Sequence, residues 1–142
     1  MATAPRAPRK IDVPGQPEAA GQTWSNCLVV GREIVISGVT AMGPDGRAIG
    51  GASAGQQTLA ILERIGARVK AAGGSIGNIY KLVIYVTDIA GKDEVRAARA
   101  AFFKPTYPAS TLVAVKGLIA LDLLVEIDAF ANLDIDLHAD AD

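Results

Sequence analysis

The sequence predicts an α+β fold: one mixed β-sheet covered on one face by two helices, in the order β-β-α-β-α-β-β. Three features lead there. Between Ser53 and Gly73, residues Leu59, Leu62, Ile65, Val69 and Ala72 recur at helical spacing. Residues 79–88, IYKLVIYVTD, are rich in β-branched and aromatic side chains. Short β-rich runs stand in pairs at both ends, CLVVG with EIVISG and TLVAVKG with LLVEIDAFA, which reads as a hairpin at each end. With 142 residues, half of them apolar and a fifth charged, the chain suits one domain with a real core.

Taken in order, residues 1–22 read as a flexible leader, because Pro5, Pro8, Pro14 and Pro17 interrupt it and GQPEAAG is linker-like. The ordered domain is then expected over residues 23–131. Gly31-Arg32 separates the first two strands, and GPDGRAIGG supplies a loop. Ser53 caps the first helix, with Gln56 completing a capping-box pattern. Glu63, Arg64, Arg68 and Lys70 fall mostly off its apolar stripe, and Gly73-Gly74 ends it. A second helix is expected from Lys92 to Phe103, with Val95, Ala98 and Phe102 inward and Lys104-Pro105 as the stop. Residues 132–142 read as an acidic, solvated tail.

The 79–88 strand is apolar on both alternating sets, Leu82, Ile84 and Val86 against Val83 and Tyr85. Two helices cover one face only. Val83, Tyr85, Leu124 and Phe130 are therefore expected on an open apolar face, which calls for a partner, another copy of the chain.

Composition excludes several classes of function. A formal net charge of −1 gives nucleic acid little to hold, and Arg6, Arg9 and Lys10 all fall in the leader. Cys27 is the single cysteine, in an apolar run, and reads as a buried thiol. His138, the single histidine, lies among the aspartates of the tail, so no tightly bound metal is expected. No apolar segment has transmembrane length and no signal-peptide core is visible, so the expected setting is cytoplasmic, without a membrane partner. Phosphate-loop, zinc and dinucleotide motifs are absent, and AAGGSIGN ends a helix instead of opening one. Ser37 sits in VISGV, which is not a nucleophile elbow.

What remains is distributed. SGVTAMGPDGRAIGG, QTLAILERIGARVKAAGGSIGNIYKLVIYVTDI, the FF and YPAST segments and LLVEIDAFA resemble, in order and spacing, the Rid family, the YjgF-type or endoribonuclease L-PSP-like proteins. The resemblance covers residues 23–131. It implies a chorismate-mutase-like fold and a homotrimer whose sheets form a central barrel, with small-molecule clefts between subunits. It also implies hydrolysis of amino-acid enamines or imines to keto acids and ammonia, without metal or organic cofactor.

Carried over residue by residue, the resemblance makes Glu126 the candidate catalytic group, a water-orienting or proton-handling carboxylate; read alone, it is an outward strand carboxylate. The candidate ligand-binding residues are Trp24, Ser37, Gly38, Arg96, Ser110 and Leu112. Trp24 stands where deaminating members have tyrosine, as an apolar wall or as edge packing. Arg96 stands where they have asparagine, and either brings a charge to the cleft or pairs with Asp93. Ser110 stands where they have the arginine that grips the substrate carboxylate in a bidentate fork. A subgroup lacking that arginine is indicated, and weak hydrolysis of 2-iminopropanoate-type substrates follows. An enzyme on a non-standard substrate and a non-catalytic trimeric metabolite binder both fit. RNA cleavage fits least, for want of a basic and aromatic stripe.

Overall fold

The computed structural model describes residues 3–140. Its elements are strands β1 (Arg9–Lys10), β2 (Cys27–Val30) and β3 (Glu33–Thr40), helix α1 (Ala54–Ala71), β4 (Ile79–Val86), helix α2 (Lys92–Phe103), β5 (Ala109–Ala114) and β6 (Val125–Asn132). They form one 6-stranded sheet in the order β1-β2-β3-β6-β4-β5. The mixed sheet with its two helices is the expected α+β architecture.

The expected hairpin at the C-terminal end does not form. β5 lies parallel to β4 at the sheet edge, while β6 inserts between β3 and β4 and is antiparallel to both. The reason is α2. A parallel neighbour requires a crossover of a dozen or so residues, and the helix between β4 and β5 supplies it. At the other end the expected hairpin is present, with Gly31 at φ 64° in its turn.

The core lies between the sheet and the helices. Ile34, Ile36, Leu82, Ile84, Ile127 and Ala129 face Ile61, Leu62, Ile65, Val69, Val95 and Phe103 in one buried cluster. Ser53 caps α1 as expected, its Oγ accepting from the Gln56 N–H at 3.1 Å. In α2 the buried aromatic is Phe103 instead of Phe102, which packs edge-on beside it with ring centroids 4.9 Å apart. Gln57 of α1 is fully buried and uses its whole amide. Its Nε2 donates to the carbonyls of Gly51 (2.6 Å) and Asp122 (2.9 Å), and its Oε1 accepts from the Leu124 N–H (2.9 Å). One side chain thereby fastens two loops to the helix.

Both expected free ends are packed against the domain. Before Thr23, β1 pairs with β2, Val13 is buried in the core, and Lys10 forms an ion pair with Glu18. After Ala131, Leu133 packs on the core and the Leu137 N–H donates to Gly77 O at 2.8 Å. Asn78 Nδ2 donates to Ile135 O at 2.6 Å, and the His138 ring lies 2.7 Å from Phe103 O. Asp136 lies so close to Gly77 that a Cβ there would meet its carboxylate. Composition suggested solvation at both ends; a few apolar anchors, Val13 and Leu133, outweigh it. Asp142, grouped with the tail, lies outside the described residues.

The face without helices is amphipathic, not uniformly apolar. Val35, Val83, Tyr85 and Phe130 alternate there with Glu33, Lys81, Glu126 and Asp128, and Leu124 packs with the core. Cys27 is fully buried, and burial pushes its thiol pKa up. No helix among the described residues is long and apolar enough to cross a membrane.

Gln57→Leu keeps roughly the same volume and strands three backbone groups. It should cost about 3 kcal/mol in urea-induced unfolding, since each buried group left unpaired costs about 1–3 kcal/mol. An unchanged unfolding midpoint would contradict the fastening role.

Candidate functional site

β3 contains a bulge. Ile36 pairs with Ala129 and Val39 with Ile127, so β3 spends one residue more than β6 between them, in the Ser37-Gly38 stretch. Ser37 is held there by its Oγ, which donates to Ser25 O at 2.6 Å, and by its N–H, which donates to Asn26 O. Gly38 faces Glu126. A Cβ at Gly38 would lie 2.9 Å from both Cδ and Oε1 of Glu126 and 3.2 Å from Asp128 Oδ1. Glycine is required here for close approach, since its φ is not positive.

Glu126 and Asp128 are thus neighbouring carboxylates on the helix-free face. Burial, and secondarily the Asp128 charge, raise the Glu126 carboxyl pKa above its ordinary value. Asp128 accepts from Tyr85 Oη at 2.8 Å, a bond that raises the tyrosine pKa. A half-buried carboxyl with a raised pKa beside a second carboxylate can take up and return a proton.

Gly38 also lines a groove of about 620 Å³ with Trp24, Gln22, Met42, Arg64 and Arg68 among its walls. Trp24 is 54% exposed and stands at this groove as an apolar wall, its indole without a hydrogen bond among the described residues. Sequence reasoning left Arg68 off the buried stripe, yet it is 7% exposed. Its Nε donates to Gln16 Oε1 (2.8 Å), and Nη1 donates to Asn26 O (3.0 Å) and Ser37 O (3.3 Å). The signal was present: Arg68 follows Ile61 and Ile65 at helical spacing. Arg64 spans the next turn, donating to Thr40 O and Met42 O at 2.6 and 2.8 Å.

The remaining candidates lie elsewhere. Ser110 pairs in register with Leu82, a core-facing residue, and so stands on the helix side of β5, opposite in face to Glu126. It lines a pocket of about 330 Å³ with Arg96, Arg99, Ala100, Tyr107 and Pro108. Arg99 Nη1 donates to Ser110 Oγ at 2.9 Å. Arg99 escaped sequence reasoning, although its i, i+3 spacing from Arg96 puts both on one side of α2. Neither arginine lies within salt-bridge distance of a carboxylate among the described residues, so the Arg96–Asp93 pair is not formed. Leu112 is half-buried against the core cluster, and this position turns it from ligand-lining toward packing. One protomer therefore holds two separate groups: Glu126 against Gly38, which also lines the Trp24 groove, and Ser110 with Arg96 and Arg99. Among the described residues no group of three or more His, Cys, Asp or Glu side chains is placed to hold a metal ion.

Comparison with known proteins shows what the fold is similar to. The profile of the family described as Endoribonuclease L-PSP matches residues 15–133. A crystal structure of a protein of unknown function from Pseudomonas aeruginosa is 48% identical, covering 96% of this chain and 99% of that one at a TM-score of 0.86. The YjgF gene product of E. coli is 30% identical at a TM-score of 0.78, with 87% of this chain and 98% of that one covered. A RutC family protein of Pyrococcus horikoshii is 30% identical over 108 residues, 76% of this chain and 85% of its own length.

The raised Glu126 pKa has a sign that can be checked. The folded state holds this proton more tightly than the unfolded state, so Glu126 costs no stability below its unfolded pKa. As pH rises through the folded pKa that advantage is lost. Glu126→Gln should therefore gain thermal stability relative to wild type at about pH 7 compared with about pH 3, where the wild-type carboxyl is protonated in both states. The same difference in melting temperature at both pH values would show that Glu126 titrates as an ordinary surface carboxylate.

Proposed function

This chain belongs to the endoribonuclease L-PSP family, the YjgF/Rid group, and from that premise we propose that it hydrolyses small imines or enamines. No metal or organic cofactor is required in this reading, and the clefts lie between the subunits of a homotrimer. The observation that carries it is the Glu126 carboxyl: half-buried on the open face, beside Asp128, against a glycine that leaves it room.

Water adds to the carbon of the protonated imine as Glu126 takes one of its protons, giving a carbinolamine. Glu126 returns that proton to the nitrogen, and the C–N bond breaks as the hydroxyl loses its proton to solvent, leaving the ketone and ammonia. A carboxyl whose pKa is raised above its ordinary value by burial suits both proton transfers. Trp24 would wall the substrate's apolar side, and Ser37 would act by holding the bulge that sets Gly38.

The trimer is supported by two features. The open face mixes apolar residues with carboxylates, a pattern suited to an interface with polar recesses. Ser110 and Glu126 also stand on opposite faces of one sheet, so a cleft containing both needs residues of a second copy. A cytoplasmic setting accords with this reading.

Two experiments follow. Light scattering coupled to gel filtration should give a trimer at micromolar concentration, and a stable monomer would remove the shared cleft. With 2-iminobutanoate generated in situ by an amino-acid oxidase, wild type should accelerate ammonia release weakly, as serine at position 110 implies. Glu126→Gln should lower kcat on the order of 100-fold or more, the usual weight of a positioned acid–base group, with the trimer intact. Equal rates in the two proteins would take Glu126 out of the chemistry. Saturable binding of the keto acid without any acceleration would assign the cleft to metabolite binding alone.

A further inference from the structure

The groove that Trp24 and Gly38 line has two charged walls, Arg64 and Arg68, and no acidic one. The two arginines stand four residues apart on α1, hence on one side of the helix, where like charges repel. Burial lowers the pKa of both, and the Arg64 charge lowers that of Arg68 further. Both guanidinium groups nonetheless stay charged. Among the described residues no carboxylate lies within salt-bridge distance of either. Glu18, whose charge is felt at Arg68, is committed to Lys10 and to the Asn26 N–H. All the acceptors they use are neutral: Thr40 O and Met42 O for Arg64, and Gln16 Oε1, Asn26 O and Ser37 O for Arg68. Donors are left over. Arg64 Nε and Arg68 Nη2 make no hydrogen bond among the described residues, although Arg68 is only 7% exposed. No buried side-chain nitrogen or oxygen there lacks a partner, so these two atoms are open to solvent, not sealed inside. Two fixed, uncompensated charges with spare donors at one groove form a receptor for an anion.

We propose that the groove of Arg64 and Arg68 binds a small phosphate monoester carried on a planar aromatic body, the class to which nucleoside monophosphates belong. Two guanidinium groups call for two negative charges. A phosphate monoester carries nearly two at neutral pH on several acceptor oxygens, whereas a carboxylate carries one. Trp24 receives the body: its ring is more than half exposed at the groove and offers a face for stacking. The groove volume of about 620 Å³ is more than a bare phosphate fills and lies within the range of small-ligand sites. Neither Glu126 nor Ser110 is among its walls, so this site does not depend on the hydrolase reading. Binding here makes and breaks no covalent bond.

Trp24 is the single tryptophan, so its emission reports on this groove. Wild type titrated with adenosine monophosphate should show a saturable change in that emission. Adenosine and inorganic phosphate should each bind at least about tenfold more weakly. Added salt should weaken the monophosphate and leave adenosine unaffected. Arg64→Gln, its fold checked by an unchanged melting temperature, should lose about tenfold or more for the monophosphate. Trp24→Ala changes an exposed position and tests the body separately. In calorimetric titration it should weaken the monophosphate about fivefold or more and leave inorganic phosphate within about twofold. A wild type without a saturable response, or one that binds adenosine as tightly as its monophosphate, would overturn the proposal. Folded Arg64→Gln within about twofold of wild type would do the same. Unchanged monophosphate affinity in Trp24→Ala would also overturn it, whether or not Arg64→Gln folds. Inorganic phosphate matching the monophosphate would reduce the groove to a bare anion site and overturn the ligand class.

Discussion

Arg68 brings a positive charge to a nearly buried position without a carboxylate in salt-bridge contact among the described residues, and holds it there by donating to oxygens from three chain segments. Those segments are the N-terminal stretch through Gln16, the entry to β2 through Asn26, and the β3 bulge through Ser37. Burial lowers the Arg68 pKa, while Glu18 nearby favours its charge. Removing the guanidinium would leave buried oxygens unpaired, at a cost of about 1–3 kcal/mol for each. The bulge it braces decides where Gly38 sits, and Gly38 decides whether the Glu126 carboxyl has room. Helix packing, bulge geometry and the environment of the candidate catalytic acid are in this way one connected constraint.

Much of the architecture was legible because it follows from periodicity. Helix α1 occupies the stretch marked by Leu62, Ile65 and Val69, and Ser53 caps it as its position suggested. β4 falls within the β-branched run, and the Gly31-Arg32 turn joins β2 to β3. The pairing of β5 was not legible. Strand propensity is local, whereas β6 reaches its place between β3 and β4 through contacts far apart in sequence. The two ends were misread for a different reason. Proline and aspartate content says nothing about a single well-placed apolar residue such as Val13 or Leu133.

The site was legible in part. Family resemblance pointed to Glu126 and Gly38, and the structure supplies the physical link between them, a missing Cβ. It also marked Ser110, whose hydroxyl accepts from Arg99, eleven positions earlier on another element, a contact that no local motif announces. Arg64 and Arg68 illustrate the same limit from the other side. Both are arginines on a helix that sequence alone assigns to solvent, and both are spent on backbone carbonyls.

Two groups that are apart in one protomer, Glu126 and Ser110, have to meet in the assembly for a shared cleft to exist. A crystal structure with 2-oxobutanoate bound tests this most directly. The predicted result is one cleft in which Glu126 of one protomer faces Ser110 of its neighbour, with the ligand's carbonyl carbon toward Glu126. Glu126 and Ser110 in separate solvent-filled spaces for every pair of protomers, or a ligand held away from Glu126, would contradict it.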